Sequence, residues 1–303
     1  MNKGNDVKAD SVSPFRGTYT ALITPHRNGD VDWPAVDALI DRQIEAGVDG
    51  VVPCGSTGES ATLSHAEHDR LIEQVVRRVD SRCKVLAGTG SNSTAEAIRL
   101  TRRAADIGAD GALLVTPYYN RPTQEGLFRH YAAIAEAVDL PLVLYNVPVR
   151  CGVDLQNETV IRLRKQYPHI VAIKDASGGV DRVGELARRS DIGVLCGDDT
   201  LTLAMMALGA IGVISVISNL DPSGMKALTD AVAEGDFERA RACHRKVCGL
   251  ADEIGGLGPN PLPIKTAMAL KEWIAEEYRL PLCPLDQESR SKIESALRKY
   301  ELL

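Results

Sequence analysis

The feature that most constrains the fold is a set of eight short apolar runs, spaced at similar intervals along the chain and separated by amphipathic stretches. The runs predicted as strands are 19–23, 50–53, 84–88, 111–115, 142–146, 170–174, 193–196 and 212–215. Helical periodicity lies between them, as over 34–46, 65–79, 94–107, 124–138 and 157–166. Strands that alternate with helices predict an α/β fold with a parallel sheet, and eight such strands close a (β/α)8 TIM barrel.

A doubly wound open sheet is the alternative, but the regular repeat and the lack of a dinucleotide fingerprint favour the barrel. After about residue 235 the pattern changes to three predicted helices, over 237–250, 264–277 and 287–300, without strands between them. The sequence therefore predicts a flexible N-terminal tail over 1–14, a catalytic barrel over 15–235 and a C-terminal helical domain over 236–303.

Composition narrows the class of partner. The 303 residues are 44% hydrophobic, enough for a large core, and the net charge of -6 with scattered Lys and Arg favours a small molecule over nucleic acid or an anionic membrane. The seven cysteines are an odd number and widely spaced, which suits the reducing cytoplasm better than a disulfide framework. No apolar run reaches the roughly 18 residues of a membrane span.

Lys174 ends the apolar run over 170–174, so a strand buried on both faces would place its amine at the carboxyl end of the barrel. A desolvated lysine amine is a plausible nucleophile toward a carbonyl, whereas a lysine that reaches from a strand end to water is the ordinary alternative. In (β/α)8 barrels the chemistry lies at this end. Polar side chains on the other loops of that end favour the nucleophile; they are Ser56, Thr57, Tyr118, Tyr119, Tyr145, Arg150, Asp198 and Asp199.

The turn over 55–58 offers backbone N–H groups that could bind a small carboxylate. Its alternative is a tight turn in which Ser56 or Thr57 caps the next helix. A phosphate cradle is less favoured, because the Gly-x-x-x-x-Gly-Lys spacing is absent. Tyr145 could relay protons if its phenol bonds to Thr57 and a second phenol, or be an ordinary core residue. Arg150 suits a substrate carboxylate, and a solvated surface arginine is its alternative.

A metal site is not favoured. Asp198 and Asp199 precede a helical segment, where acids are expected as caps. His65 and His68 are three residues apart on a predicted helix, but no third ligand is evident. A lysine nucleophile requires neither a metal nor another cofactor.

Six motifs together resemble the dihydrodipicolinate synthase / N-acetylneuraminate lyase family of pyruvate-dependent, Schiff-base class I aldolases. The likeness extends from about residue 15 to 285 and is closest to the synthase branch. The motifs are GSTGES at 55–60, TPYYNRP at 116–122, YNVP at 145–148, IKDASG at 173–178, GVISV at 212–216 and PNPLPIK at 259–265.

The resemblance implies that Lys174 forms an imine with pyruvate, which then condenses with aspartate semialdehyde in lysine and diaminopimelate biosynthesis. It implies a proton relay of Tyr145, Thr57 and Tyr119, with Tyr119 reaching into a neighbouring subunit's site. It also implies that substrates are held by Ser56, Thr57, Arg150, Gly197 and Ile214. A homotetramer, built as a dimer of dimers, is the assembly that the resemblance implies, and the covalent imine replaces a cofactor.

A second set matches the allosteric pocket of lysine-inhibited members of the family. It consists of Ser60, Ala61, His65, His68, Asn92, Glu96 and Tyr118. The resemblance therefore implies feedback inhibition by L-lysine.

Three positions depart from the synthase pattern: Ser56 is more often threonine, Asp175 more often glutamate, and Val149 usually a smaller residue. They leave open a sister aldolase that acts on a sugar acid, as N-acetylneuraminate lyase or a keto-deoxy sugar acid aldolase does. A different class of protein, a barrel that binds a keto acid or lysine without turnover, is the third hypothesis.

Overall fold

A computed structural model describes residues 13–303, so the predicted tail over 1–14 lies outside the described residues except for its last two positions. Within that range eight parallel strands close into a barrel, and the last strand pairs with the first. We number the barrel strands β1 to β8: Gly17–Ala21, Gly50–Val52, Lys84–Gly88, Gly111–Val115, Leu142–Asn146, Ile170–Asp175, Gly193–Cys196 and Gly212–Ser215. The predicted (β/α)8 barrel is confirmed.

The helices α1 to α12 follow or separate these strands. They are Trp33–Glu45, His65–Val79, Thr94–Ile107, Gln124–Ala137, Pro148–Cys151, Asn157–Gln166, Asp181–Arg189, Thr202–Ala207, Pro222–Ala233, Phe237–Gly255, Leu262–Leu270 and Gln287–Lys299. After β8, α10 packs along α9, and α11 packs on α12. A short hairpin of His26–Arg27 and Asp30–Val31 lies between β1 and α1. Among residues 13–303, no helix has the length and apolar character of a membrane span.

The alternation of side chains along each strand separates the barrel interior from the helix layer. In β6, Ala172 packs inside the barrel with Tyr145 and Ile214, whereas Ile173 packs among the residues that face the helices. Because successive strand residues point to opposite faces, Lys174 follows Ala172 to the inside and Asp175 follows Ile173 to the outside. The local sequence of β6 thus aims the amine into the barrel.

Some element ends differ from those predicted. Strand β1 ends two residues early, because the backbone N–H of Ile23 binds the Asn219 side-chain oxygen, 3.1 Å away. Helix α10 continues to Gly255, since buried Ile254 prolongs its apolar stripe. Helix α11 is shorter than expected and ends at Leu270, before Glu272 with its left-handed φ of 58°.

Candidate active site

A cavity of about 670 Å³ opens at the carboxyl end of the barrel strands. It brings together five of the predicted site residues: Thr57, Tyr145, Arg150, Lys174 and Gly197. Ile214 is fully buried in β8, within the barrel interior, and is not part of the cavity wall. Ser56 lines a neighbouring cavity instead.

Lys174 lies on the cavity wall and is 5% exposed. Its backbone is in register with that of Tyr145 on β5, and its Nζ lies 4.3 Å from the centre of the Tyr145 ring. Among residues 13–303, no carboxylate pairs with this amine and no hydrogen bond engages it. A buried amine without an ion-pair partner is available to react with a carbonyl carbon.

Gly197 directly follows β7. Because it has no side chain, the side chain of Lys174 can pack beside it. A Cβ at this position would lie 3.0 Å from Cε of Lys174, 2.7 Å from Cβ of Ala176 and 2.9 Å from the carbonyl oxygen of Asp175. Real Cβ atoms essentially never come as close as the two shorter distances, so any larger residue would displace Ala176 or the end of β6, and the Lys174 side chain would also have to give way.

The turn after β2 leaves two backbone donors free. The N–H groups of Gly58 and Glu59 bond within the turn, to the carbonyl oxygens of Gly55 at 3.0 Å and Ser56 at 3.2 Å. Within the described range, the N–H groups of Ser56 and Thr57 donate no hydrogen bond, as an anion-binding turn requires. The capping alternative does not hold for α2, whose N-cap is Ser64.

The Thr57 hydroxyl has an unexpected partner. Its Oγ1 accepts a hydrogen bond from Nδ2 of Asn260, 3.0 Å away, while the Asn260 backbone oxygen accepts one from Nη2 of Arg150, also at 3.0 Å. The bond considered between Tyr145 and Thr57 is absent, and the Tyr145 phenol makes no hydrogen bond to any residue in 13–303. The motif at 259–265 contributed to the family resemblance, but we assigned no role to Asn260 from the sequence.

A buried ion pair ties the same turn to the C-terminal helices. Nζ of Lys265, on α11, lies 2.5 Å from Oε1 of Glu59, and both side chains are almost completely buried. Glu59 ends the turn in the left-handed region, with φ of 53°. Nδ1 of His26 lies 3.3 Å from the same amine. Burial, and then the Lys265 charge, lower the pKa of His26 to about 4.

Tyr119 does not reach the cavity of its own chain. It is 90% exposed, with φ of 71°, on the loop after β4. Two side-chain hydrogen bonds hold that loop: Asn120 donates to the backbone oxygen of Asn92 at 2.9 Å, and Asn92 donates to that of Tyr118 at 3.2 Å. The loop thus presents a large aromatic side chain to the outside of the molecule.

The acids after β7 make structural hydrogen bonds. Asp198 caps a short helical turn by accepting from the backbone N–H of Thr200 at 3.2 Å, as the capping hypothesis predicts. Asp199 accepts from the N–H groups of Val216 and Ile217 at 3.1 and 2.9 Å, and burial raises its pKa. Over residues 13–303, no cluster of three or more His, Cys, Asp and Glu side chains could hold a metal ion.

Asp175, next to Lys174, fixes the end of β6 from outside the barrel. It accepts hydrogen bonds from Asn146 at 3.2 Å and Ser177 at 2.8 Å, and Nε of Arg182 lies 3.1 Å from its carboxylate. Burial raises the pKa of Asp175. The acid thus anchors the strand that presents the lysine, while pointing away from the cavity.

A second cavity, of about 510 Å³, adjoins the first. Six of the seven residues predicted for lysine binding line it: Ser60, Ala61, His65, His68, Glu96 and Tyr118. Asn92 is not on its wall but bonds to the Tyr118 backbone. The two cavities share three lining residues, Val147, Arg150 and Asn260, which we call the shared wall.

Glu96 supplies an anionic group to the second cavity. Hydrogen bonds from Ser91 and His65 hold the pKa of its carboxyl below the usual range, and His65 Nε2 lies 2.7 Å from Oε1. His68 is buried, with Nε2 2.9 Å from the backbone oxygen of Gly88, and burial lowers its pKa. This carboxylate could bind a ligand ammonium group.

The fold and the site together define a class, the (β/α)8-barrel enzymes that hold a buried lysine at the carboxyl end of the sixth strand. The chain belongs to the Dihydrodipicolinate synthetase family, whose sequence profile matches residues 14–300. A relative in Syntrophus aciditrophicus, named 4-hydroxy-tetrahydrodipicolinate synthase, is 51% identical over 291 residues, which cover 95% of this chain and 99% of that protein. The chain is therefore an enzyme of the lyase class.

Two solved structures extend the comparison. The chloride-inhibited dihydrodipicolinate synthase of Acinetobacter baumannii, in complex with pyruvate, has a TM-score of 0.92 and 44% identity, over 95% of this chain and 99% of that one. The synthase of Cyanidioschyzon merolae with lysine bound has a TM-score of 0.92 and 38% identity, with the same coverage of both chains. The predicted family is thus confirmed across nearly the whole chain.

Proposed function

We propose that the chain condenses pyruvate with L-aspartate 4-semialdehyde to give 4-hydroxy-tetrahydrodipicolinate, the first committed step of diaminopimelate and lysine biosynthesis. The observation that supports this most directly is the buried, unpaired amine of Lys174, beside the Tyr145 ring in the barrel cavity. The names of the relatives and the pyruvate complex of the Acinetobacter enzyme agree with it.

In the first half of the reaction, the Lys174 amine attacks the ketone carbon of pyruvate and water leaves, forming the imine. The free N–H groups of Ser56 and Thr57 hold the pyruvate carboxylate. A proton then leaves the methyl group, and its electron pair forms the double bond of the enamine. Tyr145, Thr57 and a neighbouring subunit's Tyr119 relay that proton.

In the second half, the enamine carbon attacks the aldehyde carbon and the new C–C bond restores the imine. The amine of the former semialdehyde then adds to the imine carbon, and Lys174 leaves as the ring closes. One water is released overall. Arg150, at the cavity mouth, binds the carboxylate of the semialdehyde. The covalent imine makes a separate cofactor unnecessary.

The test is the initial rate with both substrates, together with protein mass after borohydride reduction in the presence of pyruvate. We expect a rate that Lys174→Ala abolishes, and a mass increase that the same variant loses. Lys165→Ala, on the exposed side of α6, is the matched control. A trapped imine without a rate would identify a sister aldolase with another aldehyde. An unchanged mass would contradict the lysine mechanism altogether.

Arg150 distinguishes the two substrates. We expect Arg150→Ala to keep imine formation but to raise the KM for the semialdehyde, because only the acceptor loses a carboxylate partner. A selective rise in the pyruvate KM would contradict this assignment.

We also propose that L-lysine inhibits the enzyme from the second cavity, with Glu96 binding a ligand ammonium group. The lysine complex of the Cyanidioschyzon enzyme agrees with this proposal. We expect Glu96→Gln to raise the lysine concentration that halves the rate. Glu73→Gln, on α2 outside the cavity, should leave that concentration unchanged. A wild-type rate that millimolar lysine does not lower would exclude the proposal.

For the assembly we propose a homotetramer, a dimer of dimers in which exposed Tyr119 completes the neighbour's relay. Mixed oligomers of Lys174→Ala and Tyr119→Phe subunits should recover activity in about a quarter of their sites, because each mixed pair rebuilds one complete site. No recovery above the activity of the separate variants would contradict the exchange of Tyr119 between subunits.

All seven cysteines are free, and we assign the enzyme to the cytoplasm.

A further inference from the structure

We propose that Asn260 is a positioning residue that sets the direction of the Thr57 hydroxyl hydrogen and thereby the direction of the proton relay. The inference rests on the proposed function, in which Thr57 belongs to that relay. Asn260 lies outside the barrel strands, in the segment between α10 and α11, and lines the reaction cavity together with Thr57.

The donor and acceptor groups of the two side chains determine which of them donates the hydrogen bond. Nδ2 of Asn260 lies 3.0 Å from Oγ1 of Thr57, and an amide nitrogen can only donate. The threonine oxygen therefore accepts, and its own hydrogen must go to a different acceptor. Oδ1 of Asn260 is buried and has no partner within residues 13–303. The Asn260 amide therefore interacts with Thr57 only through its NH2 group, as a donor.

Two further contacts hold Asn260 and the segment around it in place. Its backbone oxygen accepts from Nη2 of Arg150, at 3.0 Å. Lys265, five residues later, forms the buried ion pair with Glu59, two residues after Thr57. The C-terminal segment thus contacts the turn at both Thr57 and Glu59, which restricts a shift of the amide relative to the hydroxyl.

The function of this arrangement is to keep the Thr57 hydrogen on the cavity side. A hydroxyl in a relay must accept one proton while it donates another, so its hydrogen has to point along the relay. If Asn260 accepted instead, the hydrogen would point toward the C-terminal segment and be lost to the relay. The proton that pyruvate's methyl group loses on forming the enamine would then move more slowly.

The experiment measures that proton directly. In D2O with pyruvate and no aldehyde, each cycle of imine, enamine and back replaces a methyl hydrogen with deuterium, which proton NMR detects. Asn260→Asp keeps the shape but offers only acceptors, so it should take the Thr57 hydrogen and slow the exchange at least about tenfold. The yield of borohydride-trapped imine is compared in Asn260→Ser, which adds no charge beside the pyruvate carboxylate, and it should stay at the wild-type level, since Lys174 is untouched.

A double-mutant cycle shows whether Asn260 acts through the hydroxyl. Thr57→Val removes the hydroxyl at nearly constant volume, so Asn260→Asp should slow the exchange no further in that background. The KM for the aldehyde should not change in Asn260→Asp, because Arg150 bonds to the backbone oxygen. If Asn260→Asp does not fold, Asn260→Ser replaces it: its short side chain no longer reaches Thr57, so the hydroxyl hydrogen is no longer directed along the relay, and a smaller slowing is expected.

Three outcomes would overturn the inference: exchange in the Asn260 variants at the wild-type rate, equal slowing in the Thr57→Val background, or loss of the trapped imine. The last would mean that Asn260 is needed for pyruvate binding. Failure of the proposed function has a different signature, since the wild-type enzyme itself would then form no imine and exchange no hydrogen.

Discussion

At the scale of single residues, the cavity depends on a glycine, which has no side chain, as much as on the side chains that line it. Gly197 is the residue whose lack of a Cβ admits the side chain of Lys174. An added methyl group would meet the lysine Cε on one side and the β6 backbone on another, so neither rotation nor a small loop shift relieves all contacts.

We therefore expect Gly197→Ala to lower kcat/KM at least about a hundredfold, because the amine no longer reaches its reactive position. The measurement is the initial rate together with the yield of borohydride-trapped imine. Gly179→Ala, in the loop after β6 where a Cβ meets open space, is the matched control and should keep both values. A fully active Gly197→Ala variant would show that Lys174 tolerates displacement.

Single residues also show how far sequence reasoning reached. Lys174 was predictable because an apolar run that ends in lysine places an amine at a strand end, and the strand's alternation decides which way it points. The hydrogen bond from Asn260 to Thr57 could not be predicted from the sequence. It joins residues 203 positions apart and depends on where the segment after α10 lies relative to the barrel. The placement of Tyr119 inside a neighbour's site remains a prediction.

At the scale of elements, the unusual connection is the ion pair between the turn after β2 and α11. Burying two charges is costly unless they are paired, so Glu59 and Lys265 each depend on the other. The pair lies against His26, which stays neutral there because its pKa is lowered to about 4. The ion pair thereby fixes a turn whose last residue has a left-handed backbone.

Removing one partner of the Glu59–Lys265 ion pair should destabilise the protein more than removing both partners. We expect Lys265→Met to lower the free energy of unfolding by about 3–5 kcal/mol, because it leaves the Glu59 carboxylate buried without a partner. Adding Glu59→Gln should restore part of the loss. Denaturant titration measures both, with Lys292→Met as a control, since that lysine pairs with Glu288 on the surface of α12. Equal stability of the single and double variants would contradict the pairing.

Elements were predicted best where local pattern alone determines them. Strands β3, β4, β5, β7 and β8 have the predicted bounds, and so do helices α2, α3 and α6. Tertiary contacts decided two of the exceptions. The amide of Asn219 ends β1, and burial of Ile254 against other helices extends α10, neither of which is visible in the nearby sequence.

At the scale of the whole molecule, buried histidines make the fold sensitive to acid. Burial lowers the pKa of His130 to about 4, and burial together with Lys265 lowers that of His26 to about 4, from an ordinary value near 6.5. Between pH 4 and pH 6.5, these two histidines are protonated in the unfolded chain but not in the folded chain. Stability is therefore retained above about pH 6.5 and falls as the pH drops toward 4.

We expect each of the two histidines to contribute a slope of up to about 1.4 kcal/mol per pH unit within that window. Unfolding free energies from urea titrations at several pH values measure the total slope. His130→Gln should flatten it, because one of the buried histidines that take up a proton on unfolding is removed. A variant with the wild-type slope would show that His130 does not contribute.

The shared wall of the two cavities bears on how such an enzyme can change over evolutionary time. Val147, Arg150 and Asn260 border both the reaction cavity and the cavity proposed for lysine. A substitution selected there for a new aldehyde would also reshape the cavity proposed for lysine, and one selected for weaker feedback would alter the surroundings of the aldehyde acceptor. If lysine binds there as proposed, substrate choice and feedback are inherited together at these positions, while His65 and Glu96 border only the second cavity and can vary separately.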